Sequence, residues 1–247
     1  MFPPSPICPA FVDKGVFPTI LPVMSGLLAW FDAESTRDTV VNGAKIPVWY
    51  DKSGNSAHAV QTTAGQQPVA VDGVLNGLRV ARFSGCSMLF KFQSPREMSI
   101  FCVVSPGTQL TSDTEMFFGS SISTPGTSGI GWGLGVGYYS NYGGGWVGPS
   151  RNINLLCEVI ATNTFKLRTY LKTTTTWNII SNGVAIHTNL ADTSIPLGTF
   201  YGVLGAEDTT PSRPLSGDIA EFIIFNRVVT NIERLQIEAY LHLKWGV

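Results

Sequence analysis

Apolar and polar residues alternate with a period of two along much of the chain, which is typical of β-strands that bury one face. In the segment from Phe165 to Leu171, Phe, Leu and Thr occupy the odd positions, with Lys, Arg and Tyr between them. Ser99 to Val104 and Ile219 to Phe225 are largely apolar and predict buried strands. Gly, Asn, Asp and Pro separate such segments from Leu27 onward, which predicts an all-β sandwich or barrel.

One hairpin and one helix stand out from this pattern. The apolar segments Trp177–Ile180 and Val184–His187 flank Asn182-Gly183, a dipeptide that favours a two-residue hairpin turn. Near the end of the chain, Thr230 and Glu233 have the spacing of a capping box. The residues behind it follow helical spacing and predict one short C-terminal helix that packs one face on a sheet and stops at Gly246; its apolar positions are Ile232, Leu235, Ala239, Tyr240 and Leu243.

Residues 1–22 have a different composition, with six prolines among many apolar side chains. Proline at this density excludes a helix and a central strand and predicts an extended arm. The arm could dock on a neighbouring subunit, or it could lie across its own domain. The sequence therefore predicts an arm over residues 1–22 and a single domain over residues 23–247.

Glycine alternates with large residues between Gly129 and Tyr138, so a strand here would have one face of bare backbone. A loop rich in aromatic side chains follows. Aromatic faces suit both sugar stacking and subunit contacts. The candidate residues for a ligand-binding or interface site are Tyr138, Tyr139, Asn141, Tyr142 and Trp146.

Composition excludes several classes of protein. The chain has 247 residues, of which 44% are hydrophobic and only 13% are charged, so it can bury a sizeable core. The net charge of -1, with no cluster of Lys or Arg, argues against nucleic-acid binding. Prolines interrupt the apolar stretch near the N-terminus, so we expect neither a signal peptide nor a membrane span. The widely spaced cysteines predict buried reduced thiols; they are Cys8, Cys86, Cys102 and Cys157.

A family resemblance rests on the segments Leu28–Ala33, Trp49–Asn55, His58–Gln61, Asn76–Gly77, Val80–Gly85, Leu215–Arg227, Glu233–Arg234 and Glu238–Gly246. With these segments, the region from 27 to 246 resembles, most specifically at its two ends, the laminin-G-like branch of the concanavalin A-like lectin/glucanase superfamily. The resemblance implies a two-sheet antiparallel jelly roll. Modules of this kind recur in bacterial surface proteins and in phage structural proteins.

The sequence lacks the signature of glucanases in this superfamily, which carry carboxylates at alternate positions of one strand. Asp218 and Glu221 are an odd number of residues apart, which predicts opposite faces of a strand. Asp113 and Glu115 have the right parity but lie in a loop-like Ser/Thr-rich segment. We therefore expect no catalytic residues and no enzyme activity.

Calcium is the one cofactor for which candidates exist, because the superfamily often binds it at loop ends. The candidate ligands are Asp32, Asp51, Ser53 and Asn55. The alternative is an Asx turn, in which Asp51 and Asn55 bond nearby backbone amides.

Two functions remain open at this point. The first is a non-enzymatic structural protein of a phage virion, such as a head decoration, made in the host cytoplasm. Its sandwich would project outward, and its arm would contact other virion proteins or further copies in a homo-oligomer. The second is a carbohydrate-binding, lectin-like adhesion module that recognises surface glycans.

Overall fold

Two antiparallel sheets and one C-terminal helix form the described part of the chain. The computed structural model describes residues 19–107, 114–121, 130–139, 142–143, 145–146, 154–155, 161–191, 198–207 and 213–247. Its strands are β1 (Leu27–Asp32), β2 (Val48–Trp49), β3 (Ala59–Val60), β4 (Val69–Leu75), β5 (Leu78–Ser84), β6 (Met88–Ser94), β7 (Met98–Pro106), β8 (Thr114–Ser121), β9 (Ile130–Tyr139), β10 (Tyr142–Gly143), β11 (Gly145–Trp146), β12 (Asn154–Leu155), β13 (Lys166–Lys172), β14 (Thr176–Ser181), β15 (Val184–Ala191), β16 (Gly198–Leu204) and β17 (Ser216–Phe225). The helix α1 spans Asn231–Trp245.

The strand order confirms the predicted two-sheet sandwich. One sheet has eight strands in the order β15-β14-β13-β7-β17-β5-β4, with β1 paired to β17. The other has seven strands in the order β10-β9-β8-β16-β6-β3-β2. Strands β11 and β12 form a separate pair. The predicted hairpin joins β14 and β15, and Asn182 and Gly183 both have the positive φ of its turn, at 45° and 78°.

Aromatic side chains fill the space between the two sheets. Phe31 and Phe222 belong to the eight-stranded sheet, and Phe90 and Phe118 belong to the seven-stranded sheet. The ring centroids of Phe31 and Phe90 lie 4.9 Å apart, as do those of Phe118 and Phe222. Burial of these large rings supplies much of the apolar area removed from water when the sheets pack.

Helix α1 covers the other face of the eight-stranded sheet and creates a second apolar cluster with Trp30 and Ile223. The predicted capping box is present at Thr230 and Glu233, and Gly246 ends the helix with a φ of 69°. The predicted apolar face is wrong, because Ile232, Leu235, Ala239 and Leu243 are exposed; the buried residues are Ile237, Glu238, Tyr240, Leu241, Lys244 and Trp245. The helix is rotated so that its polar Lys244 reaches buried carboxylates on the sheet.

Two more predictions concern the cysteines and the N-terminal arm. Cys86 and Cys102 are buried free thiols, as predicted, whereas Cys8 and Cys157 lie outside the described residues. Leu21 and Val23 are buried in the cluster beneath α1. Residues 1–18 of the predicted arm lie outside the described residues, so the arm stays a prediction. Within the described ranges, no helix has the length and apolar character needed to cross a membrane.

The glycine-rich segment forms β9, next to β8 in the seven-stranded sheet. Gly133 of β9 pairs with Gly119 of β8. A Cβ atom on Gly119 would lie 1.9 Å from the backbone oxygen of Glu207. At this position the chain's own backbone makes the close approach that a bare glycine permits.

Candidate functional site

A groove of about 500 Å³ opens beside β6, where the start of β1 and the turn between β2 and β3 meet the seven-stranded sheet. We name it the β6 groove. Its polar lining residues are Asn55, Ser56, His58, Lys91, Gln93 and Asn226. Its apolar lining residues are Leu27, Leu28, Ala57 and Phe92. Concave sites that combine apolar walls with a few polar groups are typical of small-molecule binding.

Asp51 holds the turn that forms one wall of this groove. Its Oδ1 accepts hydrogen bonds from the backbone amides of Trp30 and Ser53, each at 2.9 Å. Its Oδ2 accepts from the Ser53 hydroxyl at 2.7 Å and from the Ala57 amide at 3.0 Å. The side-chain amide nitrogen of Asn55, Nδ2, donates to the backbone oxygens of Leu27 and Leu28. These bonds fasten the turn to β1, so the wall is positioned before any ligand arrives.

His58 stands at the end of the turn with a defined hydrogen-bond role. Its Nδ1 accepts a hydrogen bond of 3.1 Å from the backbone amide of Asp51. In the neutral ring the proton is therefore on Nε2, which can donate to a ligand. The ring packs edge-on against Tyr50, with centroids 5.2 Å apart.

Strand β6 forms the floor of the groove. Phe90 and Phe92 are buried between the sheets, whereas Lys91 and Gln93 are exposed on the opposite face, as the period of two requires. The Lys91 ammonium lies 5.6 Å from the ring centroid of Tyr201, which is the partner of Lys91 on β16. A cation, an amide and an aromatic ring thus lie together on one surface.

Tyr50 lines a second groove of about 410 Å³. Tyr50 is 49% exposed, and it lines this second groove while its ring contacts His58 of the β6 groove. The remaining lining residues are mostly apolar: Thr39, Val40, Val41, Ala44, Lys45, Pro47 and Val48. Tyr50 therefore offers an aromatic surface between two depressions.

The predicted aromatic site falls largely outside what the structure describes. Tyr138 and Tyr139 end β9, Tyr142 lies in β10 and Trp146 lies in β11. Tyr142 pairs with Tyr139 across the two strands, so these two residues are neighbours at the edge of the seven-stranded sheet. Asn141 and the side chains of all five candidates lie outside the described residues.

The four candidate calcium ligands occupy two different places. Asp51, Ser53 and Asn55 share the turn described above, and their side chains take part in its hydrogen bonds. Asp32 faces Lys52 at 2.7 Å and Lys244 at 2.8 Å. Among the residues that the structure describes, no group of three or more His, Cys, Asp or Glu side chains could hold a metal ion. Asp32, Asp51, Ser53 and Asn55 stay candidates for calcium, and the bonds that Asp51 accepts from the Ser53 and Ala57 backbone amides are those expected of the alternative, an Asx turn.

The two carboxylates of β17 lie on the same face of the strand, contrary to the prediction from their spacing. A register shift between Ile219 and Glu221 changes the alternation, so Glu221 faces α1. Asp218 forms a bidentate pair with Arg82, at 2.8 and 2.9 Å, on that same side of the sheet. Neither carboxylate lines the β6 groove.

Glu221 is the centre of a fully buried polar network, which we name the Glu221 cluster. Its Oε1 accepts from Trp30 Nε1 at 2.6 Å and from the Tyr240 hydroxyl at 3.0 Å. Its Oε2 accepts from Lys244 at 2.8 Å and from Trp245 Nε1 at 2.7 Å. Asp32 joins the cluster through its ion pair with Lys244.

Burial and charge act in opposite directions on the Glu221 cluster. Complete burial, reinforced by the Asp32 carboxylate, raises the pKa of Glu221 above its ordinary value. Burial would also raise the pKa of Asp32, but Lys244 and Lys52 outweigh it and lower that pKa. Burial would lower the pKa of Lys244, yet the carboxylates of Glu221 and Asp32 outweigh it and raise that pKa. Two carboxylates thus face two ammonium groups, an arrangement that anchors α1 to the sheet.

Sequence reasoning missed the β6 groove because its parts are distant along the chain. His58 appears in the sequence only as a scattered histidine. In the segment from Leu89 to Gln93, however, Phe90 and Phe92 alternate with the polar Lys91 and Gln93. This period of two places Lys91 and Gln93 together on one exposed face. That signal could identify the floor of the groove but not its wall.

The fold is shared with domains of carbohydrate-active enzymes. The chain matches no protein-family model and no curated protein. Among solved structures, domain 4 of AbnA, a GH43 extracellular arabinanase from Geobacillus stearothermophilus, in complex with arabinotriose, is similar over 87% of this chain and 97% of that chain (TM-score 0.57, 18% identity). A GH54 α-L-arabinofuranosidase is similar over 85% of this chain and 54% of that chain (TM-score 0.59, 15% identity).

Sialidases are also similar in structure. A Trypanosoma rangeli sialidase in complex with 2,3-difluorosialic acid matches over 90% of this chain (TM-score 0.57, 13% identity). This chain spans about a third of that sialidase, 33% of its length. These identities are low, so the likeness establishes a shared sandwich fold, which confirms the predicted concanavalin A-like architecture.

The prediction of a phage virion structural protein is wrong. The solved structures similar to this sandwich include a sialidase, an arabinofuranosidase and a domain of an arabinanase, all of them glycosidases or parts of glycosidases. The comparisons give no support for a virion, a head decoration or a phage context. The prediction rested on the apolar proline arm and on a resemblance that phage proteins share with many other users of the fold.

Proposed function

We propose that this chain is a carbohydrate-binding domain and that its ligand lies in the β6 groove. The observation that carries the proposal is the match to AbnA domain 4, because it covers 97% of a domain whose structure holds arabinotriose. The chain therefore corresponds to one whole sugar-bound domain, whereas it corresponds to only part of the sialidases.

The lining of the groove supports this function. Sugars stack their apolar faces on aromatic rings, while amides and charged groups bond their hydroxyls. Tyr50 and Tyr201 offer ring surface beside the groove, and His58, Gln93 and Asn226 offer donors and acceptors within and around it. The turn held by Asp51 lowers the entropy lost on binding, because that wall is already fixed.

The proposal is binding without catalysis. Hydrolysis of a glycosidic bond commonly uses two carboxyl groups that face each other across the sugar. The described residues that line the β6 groove include no Asp or Glu. Glu221 is sealed beneath α1 and Asp218 is paired with Arg82, so neither can reach a ligand in the groove.

The residues Tyr138, Tyr139, Asn141, Tyr142 and Trp146 are proposed as a second sugar contact. The pairing of Tyr139 with Tyr142 supports it, because the two residues are neighbours at one edge of the same sheet that carries the β6 groove. Trp146→Ala would then weaken sugar binding, and an unchanged affinity would remove this second contact.

The test is a binding screen of the purified chain against neutral and acidic oligosaccharides, by a glycan array followed by isothermal titration calorimetry. We expect saturable binding of at least one oligosaccharide and no release of reducing sugar from it. Silence of the wild-type protein against the whole panel would contradict the proposal, and turnover of a bound sugar would contradict the absence of catalysis.

A further inference from the structure

We infer that the ligand of the β6 groove is an acidic saccharide and that Lys91 binds its carboxylate. This inference rests on the proposed carbohydrate-binding function and specifies its ligand class. The class is defined by a sugar ring that carries a carboxylate, as uronic acids and sialic acids do.

Lys91 supplies positive charge to the β6 groove. Its ammonium is exposed and has no carboxylate partner among the residues that the structure describes; its contact there is with the ring of Tyr201. Most other described cations are matched to an acid, as in the pairs Lys52–Asp32, Arg79–Asp72, Arg82–Asp218, Arg213–Glu207, Arg227–Glu233, Arg234–Glu238 and Lys244–Glu221. Lys91 thus supplies an unmatched positive charge inside a groove.

The residues that line the groove around Lys91 also favour an anion. The described lining contains the basic residues Lys91 and His58, amide side chains and a hydroxyl, but no carboxylate that would repel an anion. Like charges placed together across an interface oppose binding, whereas complementary charges favour it. The groove is therefore complementary to an anion although the whole chain has a net charge of -1.

Further hydrogen-bond donors line the groove together with Lys91. His58 has its Nδ1 occupied by the Asp51 amide, so Nε2 is left to donate. Gln93 lies two residues from Lys91 on the same exposed face of β6. A carboxylate has two oxygens that accept hydrogen bonds, and the ammonium together with a neutral donor satisfies both.

Tyr201 can contact the sugar ring of such a ligand. Tyr201 pairs with Lys91 across β16 and β6, and its ring lies beneath the ammonium. A saccharide that places its carboxylate on Lys91 would bring its ring beside the part of this aromatic surface that the ammonium does not cover. Apolar contact and ion pairing would then act on the same residue of the ligand.

The test compares ligands that differ only in the carboxylate. Affinities of the full chain are measured by calorimetry for trigalacturonate against its methyl ester, and for sialyllactose against its methyl ester. We expect one acidic ligand to bind about fivefold to tenfold more tightly than its neutral partner at low salt, with a smaller ratio at about 0.15 M salt. The two ligand pairs distinguish a uronate from a sialate.

The variant Lys91→Met keeps the aliphatic stem and removes the charge, so it should bring the ratio of acidic to neutral affinity close to one. Lys91→Arg should preserve most of the ratio. The matched control is Lys166→Met, which removes one positive charge from β13 of the other sheet and should leave the ratio unchanged. Melting temperatures near that of the wild type show that each variant folds.

The outcomes separate this inference from the proposed function. If neutral sugars bind and acidic sugars bind no better, the inference is overturned and the carbohydrate-binding function stands. If Lys91→Met weakens acidic and neutral ligands equally, Lys91 does not act through charge and the inference is overturned. If no sugar of either kind binds, the proposed function fails and this inference fails with it.

Discussion

Lys244 of α1 and Glu221 of β17 form an ion pair of 2.8 Å in which the side chains are 3% and 0% exposed. Among the residues that the structure describes, every hydrogen-bond partner of the Glu221 carboxylate is a donor, and the donors come from β1 and α1. Taking charges out of water costs several kcal/mol per ion unless hydrogen bonds replace the lost hydration. The Glu221 cluster provides that replacement, and it fixes the rotation of α1 on the sheet.

Glu221→Gln should destabilise the fold strongly. The substitution removes the negative charge that Lys244 faces and turns an amide NH2 toward groups that themselves donate. Breaking a buried pair in this way costs about 3–5 kcal/mol. Urea unfolding monitored by tryptophan fluorescence measures the loss, and Glu97→Gln, at an exposed position between β6 and β7, is the control. A loss no larger than that of the control would show that the cluster does not anchor α1.

Acid should weaken the start of α1 through Glu233. Hydrogen bonds from Arg227, and then from the Thr230 amide, lower the pKa of Glu233 from 4.5 to about 2. Because the pKa is lower in the folded state, this contribution to stability is complete above pH 4.5 and is lost as the pH falls toward about 2. Unfolding midpoints in urea, measured across this range, should fall less steeply in Glu233→Gln than in the wild type. Equal slopes in the two proteins would contradict the role given to Arg227.

Gly119→Ala should destabilise the seven-stranded sheet. The new Cβ would meet the backbone oxygen of Glu207 at 1.9 Å, and backbone cannot move aside as a flexible side chain can. Overpacking of this kind typically costs about 1–3 kcal/mol. The matched control is Gly65→Ala, where a Cβ would meet nothing within 4 Å. Thermal melting of both variants tests the prediction, which requires a clear drop for residue 119 and little change for residue 65.

Tyr50→Ala should weaken sugar binding without unfolding the protein. The ring is 49% exposed and lies beside His58 between two grooves, so its loss removes stacking surface and little core. We expect affinity to fall about tenfold, whereas Tyr50→Phe should bind nearly as well as the wild type. Calorimetry with the best ligand from the screen measures both variants. An affinity unchanged by Tyr50→Ala would place the ligand away from this ring.

The elements that the sequence predicts well are those set by local rules. The turn at Asn182-Gly183 and the cap at Thr230 depend on residues that are adjacent in the chain, so both appear as predicted. The face of α1 is mispredicted because a buried lysine reaches carboxylates on distant strands, which apolar spacing does not reveal. The β17 register shift is of the same kind, because it depends on how three neighbouring strands pair.

The candidate site is less predictable for the same physical reason. Leu27, His58, Lys91 and Asn226 line one groove, but they come together only when the two sheets are closed. The virion prediction failed because composition and an apolar arm do not determine which ligand or partner the surface of a sandwich binds.

Among the described residues, no side chain belongs both to the lining of the β6 groove and to the Glu221 cluster. Selection can therefore act on the two separately. Descendants of this chain could exchange residues around Lys91 and so change the ligand proposed for the groove, while the anchored helix keeps the intermediates folded.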